Sequence, residues 1–159
     1  MIDIELDTTE INQALNRLLE NGQDLTPTFK DIGEELINST KKRFTDEKAP
    51  DGSGWKELDS ETKKAKGHSH ILHQEGILAK QFSYQASGHE LVIANLESYA
   101  ALHQFGGGGM KVDVPSYTRK GKTVRAYSFI NNTDARPFMG ISTGDRDEIF
   151  AILTEYLDD

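Results

Sequence analysis

The chain has 159 residues, of which 36% are hydrophobic and 28% charged, and its formal net charge is −8. This length suits one domain with a single core, and the aliphatic and aromatic content is too high for a disordered chain. The acidic balance argues against a general affinity for nucleic acid, because phosphate binding needs a surplus of Lys and Arg. The absence of cysteine excludes disulfides, thiolate nucleophiles and Cys-based zinc sites.

The N-terminal residues alternate acidic and apolar side chains and lack the basic start and apolar run of a signal peptide. No stretch approaches the ~20 consecutive apolar residues that span a bilayer. We therefore expect a protein that is cytoplasmic when it is made, without membrane contact.

Two amphipathic helices are predicted first. Residues 7–10 read Asp-Thr-Thr-Glu, a capping pattern, and apolar residues then recur at helical spacing, which predicts a helix over residues 8–20. Asn21-Gly22 ends it, and Thr26-Pro27 supplies the cap and first turn of a second helix. The buried side of the second helix is predicted to carry Phe29, Ile32, Leu36, Ile37 and Phe44. Gly33 is expected to allow close packing against the first helix.

A loop rich in Pro, Gly and Asp follows over residues 45–55 and ends on Trp55, the only tryptophan. We expect the indole to fill the core where the loop rejoins the domain. The alternative is an interface anchor, because tryptophan is enriched among binding hot spots. A short charged helix should then start near Asp59 or Ser60 and end at Gly67.

Two hairpins are predicted in the second half of the chain. Residues 81–86 alternate with period two and residues 90–94 return after a Ser-Gly turn, which predicts the first hairpin. Glycines 106–109 are expected to form a flexible hinge without regular structure. Residues 112–114 and 124–129 flank the turn Arg-Lys-Gly-Lys, which predicts a second, projecting hairpin.

The last helix is predicted to follow a capping-box-like start at Ser142, with Asp145 and Asp147 as solvated caps or surface charges. Its apolar positions are Ile149, Phe150, Ile152, Leu153, Tyr156 and Leu157. This order of elements predicts an α+β fold, in which amphipathic helices pack on a small antiparallel sheet, with a projecting β-hairpin and long loops. We treat residues 1–159 as a single domain in which residues 106–128 form a flexible loop and hairpin insertion.

Sites for chemistry are sparse. His68, His70 and His73 are close in sequence, but their spacing matches no zinc signature, so a metal-dependent hydrolase built on them is a remote alternative. The glycine run lacks the Gly-Lys-Ser/Thr of a phosphate loop, and no Gly-x-Ser-x-Gly elbow is present. We therefore expect no catalytic residues, no metal, no cofactor and no small-molecule substrate.

One segment reverses the acidic charge of the chain. Four basic residues cluster within seven positions at the tip of the second predicted hairpin, and they form a candidate interface: Arg119, Lys120, Lys122 and Arg125. DNA contact is not expected anywhere except through this tip.

Four sequence blocks occur in a characteristic order: A-P-D-G-S-G-W-K-E-L, I-L-H-Q-E-G-I-L, S-Y-A-A-L-H-Q-F-G-G and A-R-P-F-M-G-I-S-T-G-D. Together they resemble the phage virion morphogenesis family, the group of Mu G-like and tail-completion proteins. The resemblance extends from the second predicted helix to the last one. The residues that match the family pattern are called the motif residues below: Pro50, Asp51, Gly52, Trp55, Leu58, Leu72, Gly76, Leu78, Tyr99, His103, Gln104, Phe105, Gly106, Arg136, Pro137, Phe138 and Gly140.

The resemblance implies a non-enzymatic structural protein that completes the tail or joins it to the head at the neck. It implies as partners the tail tube or tail terminator, the head–tail connector and further copies in a ring, with six copies if the ring follows tail symmetry. The expected location is the host cytoplasm during assembly and then the virion neck or tail. A cytoplasmic capsid-assembly factor or adaptor that leaves before the virion is complete is the alternative.

The motif residues can hold the fold or hold the ring, and the sequence leaves both roles open. On physical grounds, Tyr99 and Phe105 are expected to pack a short helix onto the first hairpin, with His103 and Gln104 supplying hydrogen bonds at its end. Arg136 is expected to pair with a carboxylate near the last helix.

Overall fold

The computed structural model describes residues 9–73, 76–119 and 121–158. These residues form six helices and six strands in an α+β arrangement, as predicted. The helices are α1 (Thr9–Glu20), α2 (Thr26–Asp46), α3 (Ser60–Lys66), α4 (Ile77–Lys80), α5 (Ala100–Phe105) and α6 (Thr143–Asp158). The strands are β1 (Phe82–Ala86), β2 (Leu91–Asn95), β3 (Gly107–Val114), β4 (Tyr117–Arg119), β5 (Lys122–Val124) and β6 (Tyr127–Thr133). They pair as three two-stranded antiparallel ribbons, β1 with β2, β3 with β6 and β4 with β5.

A first core joins α1, α6 and the N-terminal half of α2. The apolar faces of the three helices meet there, and the first hairpin covers the cluster through Leu91 and Ile93. The buried members of this core are Ile11, Leu18, Leu25, Phe29, Ile32, Leu36, Ile149 and Leu153. The predicted apolar stripes of α1, α2 and α6 are therefore confirmed, whereas Thr8, where the first helix was expected to begin, lies outside the described residues.

The start of α2 differs from the prediction in its capping residue. The carboxylate of Asp24 accepts hydrogen bonds from the backbone N–H of Thr26 at 3.0 Å and from its hydroxyl at 2.7 Å. These bonds lower the pKa of Asp24, because they stabilise its ionised form. The side chain that caps the start of α2 is therefore that of Asp24, whereas Thr26 was predicted to be the cap. Pro27 lies in the first turn as expected.

Gly33 brings α2 against the first hairpin, and the prediction that it faces α1 was wrong. A Cβ atom at this position would lie 2.8 Å from ring carbons of Tyr84 and 3.1 Å from Cδ1 of Leu91. The side of α2 that carries Gly33 therefore faces β1 and β2. The missing side chain lets the helix and the strands approach closely.

A second core lies beyond the C-terminal half of α2. Its buried members are Ala49, Trp55, Ile71, Leu78, Ala100 and Phe138. The Phe44 ring contacts three other aromatic rings, with centroids 5.4 Å from Trp55, 6.0 Å from Phe82 and 5.3 Å from Phe138. Trp55 is 6% exposed, which confirms the prediction that its indole fills the core.

A buried ion pair connects α2 to α6. The Arg43 guanidinium contacts the Asp145 carboxylate, and both side chains are buried. Arg43 also donates to the carbonyl oxygens of Phe138 at 2.7 Å and Gly140 at 3.0 Å. The backbone N–H of Ser142 donates to Asp145 at 2.7 Å and the N–H of Asp145 donates to the Ser142 hydroxyl at 3.1 Å. The capping box was predicted, but the solvated role given to Asp145 was wrong.

The remaining strands form a double hairpin, called the arm below, over residues 107–133. β3 pairs with β6, and β4 and β5 form a smaller hairpin at the tip that carries the basic turn. The second hairpin was therefore predicted, while its division into two ribbons was not. The expectation that glycines 106–109 carry no regular structure was wrong, because β3 begins at Gly107 and a register shift separates Gly107 from Met110.

The glycine run has local reasons to lack side chains. A Cβ atom on Gly108 would lie 2.6 Å from the amide oxygen of Asn132, and Gly109 has a φ of +82°. The Asn132 oxygen also accepts a hydrogen bond from the Gly109 N–H at 3.2 Å. The run thus forms a strand with an irregular register, which glycine allows because it tolerates positive φ and close approach.

Among the described residues, no helix is long and apolar enough to cross a membrane.

Replacing Gly33 with alanine is expected to destabilise the protein by about 1–3 kcal/mol, because the new methyl group overpacks the contact with Tyr84. Gly144 is the matched control, since a Cβ there comes no nearer than 3.8 Å to a neighbouring atom. Gly144→Ala should be neutral or stabilising by up to about 1 kcal/mol. Urea unfolding measures both, and a stabilised Gly33→Ala variant would contradict the close approach.

Asp145→Ala is expected to lower the free energy of unfolding by about 3–5 kcal/mol, because it leaves Arg43 buried without its counter-charge. Asp147 lies two residues along α6 and is exposed, so Asp147→Ala should cost less than about 1 kcal/mol. Chemical denaturation of the two variants compares them directly. Equal losses would show that the charge at the helix start matters and the buried pair does not.

Candidate interaction surfaces

The segment 136–140 brings the motif residues of distant blocks together. The Trp55 indole Nε1 donates to the carbonyl of Pro137 at 2.7 Å, and the Arg136 N–H donates to the carbonyl of His103 at 2.8 Å. The Gln104 side chain accepts from the N–H groups of Phe138 and Met139, each at 3.0 Å, and donates to the Met139 carbonyl at 3.0 Å. Because Gln104 is 5% exposed, these three bonds satisfy an amide that burial would otherwise penalise.

Two motif glycines lie where a side chain has no room. A Cβ on Gly140, whose φ is +150°, would lie 2.8 Å from the Pro50 ring. A Cβ on Gly106, whose φ is +72°, would lie 2.8 Å from the Ala135 nitrogen and 2.9 Å from the Thr133 carbonyl oxygen. These glycines therefore have a structural explanation that requires no partner.

The loop before Trp55 is a closed turn. Lys48 and Gly54 form an isolated antiparallel bridge, and the Trp55 N–H donates to the Glu47 carbonyl at 2.8 Å. Inside the turn, Asp51 accepts from the hydroxyl of Ser53 at 2.5 Å and from its N–H at 2.9 Å, and these bonds lower the Asp51 pKa. The turn explains Asp51 and Gly52, the latter with a φ of +86°, as local structure.

Other motif residues line a cleft of about 790 Å³ beside the second core. Its walls come from the segment after Trp55, from α3 and α4, from the start of α5 and from the end of the arm. Seven motif residues line it: Leu58, Leu72, Gly76, Leu78, Tyr99, His103 and Arg136. The lining is mixed, because aliphatic, basic and acidic side chains all contribute to it.

Arg136 lies at the cleft and does not pair with α6, so that expectation was wrong. Its Nε donates to the Lys56 carbonyl at 2.9 Å, and a terminal nitrogen donates to the Glu57 carbonyl at 3.4 Å. The α6 carboxylate of Asp145 is taken by Arg43 instead. Arg136 is buried, and its charge is directed toward carbonyl oxygens and the cleft.

Positive charges in the cleft influence one another. Burial lowers the pKa of His103, and the charges of Arg136 and Lys66 lower it further. Burial also lowers the pKa of Lys66, with a smaller contribution from Arg136. The Nδ1 atom of His103 is buried and has no hydrogen-bond partner among the described residues. His103 takes part in the predicted hydrogen bonding through its backbone carbonyl, which accepts the Arg136 N–H.

The residues of α5 differ from the prediction in their exposure. Phe105 is 55% exposed, so the prediction that it packs α5 onto the first hairpin was wrong. The Tyr99 ring is also exposed, and it contacts the edge of the His103 ring at a centroid distance of 5.8 Å. Ala100 and Gln104, on the opposite side of this short helix, are the buried ones.

The three clustered histidines do meet in space. The ring centroids of His68, His70 and His73 lie 5.7–6.2 Å apart. Glu47 is nearby, with its Oε1 atom 3.8 Å from Nδ1 of His70, and this atom accepts the Ile71 N–H at 2.8 Å. Among the residues that the structure describes, no group of three or more such side chains is positioned to hold a metal ion.

The arm presents apolar side chains to solvent. Ile130 on β6 is 56% exposed, Tyr127 on the same strand is 49% exposed, and Tyr117 on β4 is 41% exposed. Of the predicted basic interface, Lys122 and Arg125 are exposed near the tip. Lys120 and the side chain of Arg119 lie outside the described part of the chain.

Sequence reasoning missed Arg43, Glu47 and Lys66. Arg43 could have been found, because it continues the buried stripe of α2 that runs through Leu36 and Thr40. A charged side chain within an apolar stripe signals a buried partner. Glu47 and Lys66 carry no such signal, since both lie in polar sequence and their neighbours come from distant segments.

Stability is expected to fall as the pH is lowered through about 6.5, because unfolded His103 takes up a proton there that the folded protein resists. The loss should continue down to the lowered pKa of the folded state. His103→Asn removes this contribution, while His89→Asn, at an exposed position, retains it. Melting temperatures between pH 8 and pH 5 should therefore decline less in His103→Asn, and parallel curves for both variants would contradict a neutral, half-buried His103.

The chain is similar in sequence to prophage proteins of Haemophilus influenzae. It aligns with "Mu-like prophage FluMu G protein 1" of Haemophilus influenzae at 29% identity over 164 residues, covering 98% of this chain and 94% of the relative. "Mu-like prophage FluMu G protein 2" of the same organism is 26% identical over 160 residues, covering 98% and 96%. No solved structure matches the chain.

The match to a family pattern agrees with these relatives. Residues 6–158 match the phage virion morphogenesis family, which accounts for nearly all of the chain. The resemblance seen in the four sequence blocks is thereby confirmed. The chain belongs to the phage virion morphogenesis family, and its role lies in the assembly of a phage or prophage particle.

Proposed function

We propose that this protein completes the tail or joins the tail to the head at the neck of the particle, as a ring of identical subunits. The observation that carries the proposal is the arm, which exposes Ile130, Tyr117 and Tyr127 on paired strands. A two-stranded ribbon is marginally stable alone, and it gains stability when its apolar side chains are covered. A neighbouring subunit or an adjoining tail protein supplies that cover in the assembled particle.

The charge distribution supports docking through the arm. The chain as a whole carries a formal charge of −8, whereas the arm tip carries the exposed cations Lys122 and Arg125. A basic tip on an acidic subunit is complementary to the body of a second copy, which favours contacts between unlike surfaces. Contacts of this kind close into rings when the rotation between subunits permits, and a ring of six copies fits a sixfold tail.

The family membership supports a structural role without catalysis. The motif residues lie mainly in the second core, in tight turns and along the cleft, and their hydrogen bonds join backbone segments to one another. The proposed partners are the tail tube or tail terminator, the head–tail connector and further copies of this chain. Assembly takes place in the host cytoplasm, and the protein stays in the neck or tail of the virion.

Ile130→Asp in the arm tests the proposal. The substitution is expected to leave the fold intact, because Ile130 is exposed and is paired in register with Lys111, which an aspartate complements. It should nevertheless reduce infectious particles by at least about tenfold, because a charge replaces an apolar contact in the interface. Electron microscopy of the lysate should show unjoined heads and tails.

The matched control is Leu96→Asp, which places the same charge at an aliphatic residue that is 70% exposed outside the arm. This variant should still give joined particles. Normal titres from Ile130→Asp would contradict the role of the arm. Mass spectrometry of purified particles checks the location, since a neck component persists in them and a transient assembly factor is absent.

A further inference from the structure

The cleft beside the second core combines aliphatic side chains with positive charge. Leu58, Leu72 and Ile77 contribute aliphatic surface, while Lys66 and Arg136 contribute positive charge. At about 790 Å³, the cleft can accept several side chains of an extended segment. Leu58 and Leu72 also pack against the second core, so part of each is buried, whereas Ile77 is 39% exposed.

The charges that line the cleft are unevenly neutralised. Lys56 pairs with Asp134 at 2.8 Å, and Glu57 pairs with Lys63 at 3.0 Å, so these residues balance one another. Asp59 accepts the Thr62 N–H at 2.6 Å and caps α3. Its pKa is lowered mainly by its hydrogen bonds to Thr62 and, more weakly, by the charge of Arg136. Among the residues that the structure describes, no carboxylate lies within ion-pair distance of Lys66 or Arg136. A carboxylate entering the cleft would meet both.

The half-buried His103 adds a second sign of an incomplete site. Its ring lies at the cleft beside these cations, and its buried Nδ1 atom has no hydrogen-bond partner among the described residues. Burial lowers the His103 pKa, and the charges of Arg136 and Lys66 lower it further, which favours the neutral imidazole. Burial and the charge of Arg136 also lower the Lys66 pKa, and a ligand that brings negative charge relieves the repulsion between these two cations.

The N-terminal segment of the chain has the complementary pattern. Residues 2–7 read Ile-Asp-Ile-Glu-Leu-Asp, which alternates apolar and acidic side chains. In an extended conformation such a segment places its apolar side chains on one face and its carboxylates on the other, over about 20 Å. The apolar face can contact the aliphatic side chains of the cleft, and the carboxylates can contact Lys66 and Arg136.

We propose that the cleft binds residues 2–7 of a neighbouring copy of this chain. The donor segment and the acceptor cleft are different surfaces, so each copy can give its segment to the next around a ring. Such a contact also reduces the electrostatic repulsion between neighbouring copies, because subunits with a charge of −8 repel one another unless local charges are complementary. The proposal rests on the proposed function for its ring but is tested independently of particle assembly.

Binding of a fluorescent peptide measures recognition by the cleft. The probe is a fluorescein-labelled peptide of residues 1–8, and the acceptor is the full chain carrying Asp3→Asn, Glu5→Gln and Asp7→Asn, so that its own segment competes less. Anisotropy is expected to show saturable binding that weakens when salt is raised from about 0.05 M to about 0.5 M. A peptide with the same three substitutions should not bind.

A pair of lysine variants then locates the binding site. Adding Lys66→Gln to the acceptor should weaken the peptide about tenfold, because it removes a charged contact in the cleft. Lys64→Gln should have no effect, since Lys64 is exposed on the same helix and does not line the cleft. Absence of saturable binding, or equal weakening by both variants, would overturn the proposal.

Disulfide crosslinking decides which copy donates the segment, and the cysteine-free chain makes it specific. Oxidising a mixture of Glu5→Cys chains and Thr62→Cys chains should give a covalent heterodimer, because Thr62 lines the cleft. Replacing Thr62→Cys by Glu61→Cys, at an exposed residue that does not line the cleft, should abolish it. A crosslink found only within single chains that carry both Glu5→Cys and Thr62→Cys would refute a neighbouring donor.

The two proposals fail in different ways. If the peptide does not bind while Ile130→Asp still separates heads from tails, the joining function stands and the cleft inference falls. If the peptide binds with the expected lysine dependence while Ile130→Asp particles stay infectious, the cleft stands as an interface between copies and the role of the arm falls.

Discussion

The buried pair of Arg43 and Asp145 is the interaction on which the rest of the structure depends. Removing two charges from water is costly, and burial alone lowers the pKa of Arg43, while the Asp145 carboxylate opposes that shift. The cost is offset because the guanidinium also donates to the carbonyls of Phe138 and Gly140, and the carboxylate also accepts from Ser142. One pair thus fixes the register of α2 against the chain that leads into α6, and it ties the two hydrophobic cores together.

The segment 136–140 connects the Arg43–Asp145 pair to the second core and to the cleft. Once Arg43 holds its carbonyls, the segment presents Phe138 to the second core, the Pro137 carbonyl to the Trp55 indole and the Arg136 side chain to the cleft. Gln104 then fastens α5 to the same backbone. Residues that hold the fold and residues that line the cleft are therefore neighbours on one short stretch, which explains why the sequence alone left both roles open for the motif residues.

Local sequence patterns predicted most of the helices and strands, but they did not predict contacts between residues that are distant in sequence. The sequence reveals the capping box of α6, the apolar stripes of α1, α2 and α6 and the turn at Gly88, because these features depend on neighbours in sequence. Gly33 and Arg136 were assigned to the wrong partners because each contact joins residues about fifty or more positions apart. The prediction for glycines 106–109 was wrong for a different reason. Glycine permits a flexible hinge, but it also permits an irregular strand such as the one beside Asn132, and composition does not distinguish the two. The cleft depends on four separate segments, so no motif encodes it.

The arm and the cleft differ in the physics of the contact that each can make. Burial of Ile130, Tyr117 and Tyr127 draws on the hydrophobic effect, which salt does not screen. A carboxylate held by Lys66 and Arg136 is instead an electrostatic contact that salt weakens. If contacts between these acidic subunits were purely electrostatic, a subunit would bind any surface patch of opposite charge. If the contacts were purely apolar, the exposed apolar surface would cause aggregation before assembly. Dividing the contact between a small apolar ribbon and a charge-selective cleft lets each interaction remain weak in the free subunit. Both then act together only where neighbouring copies are held in the correct orientation.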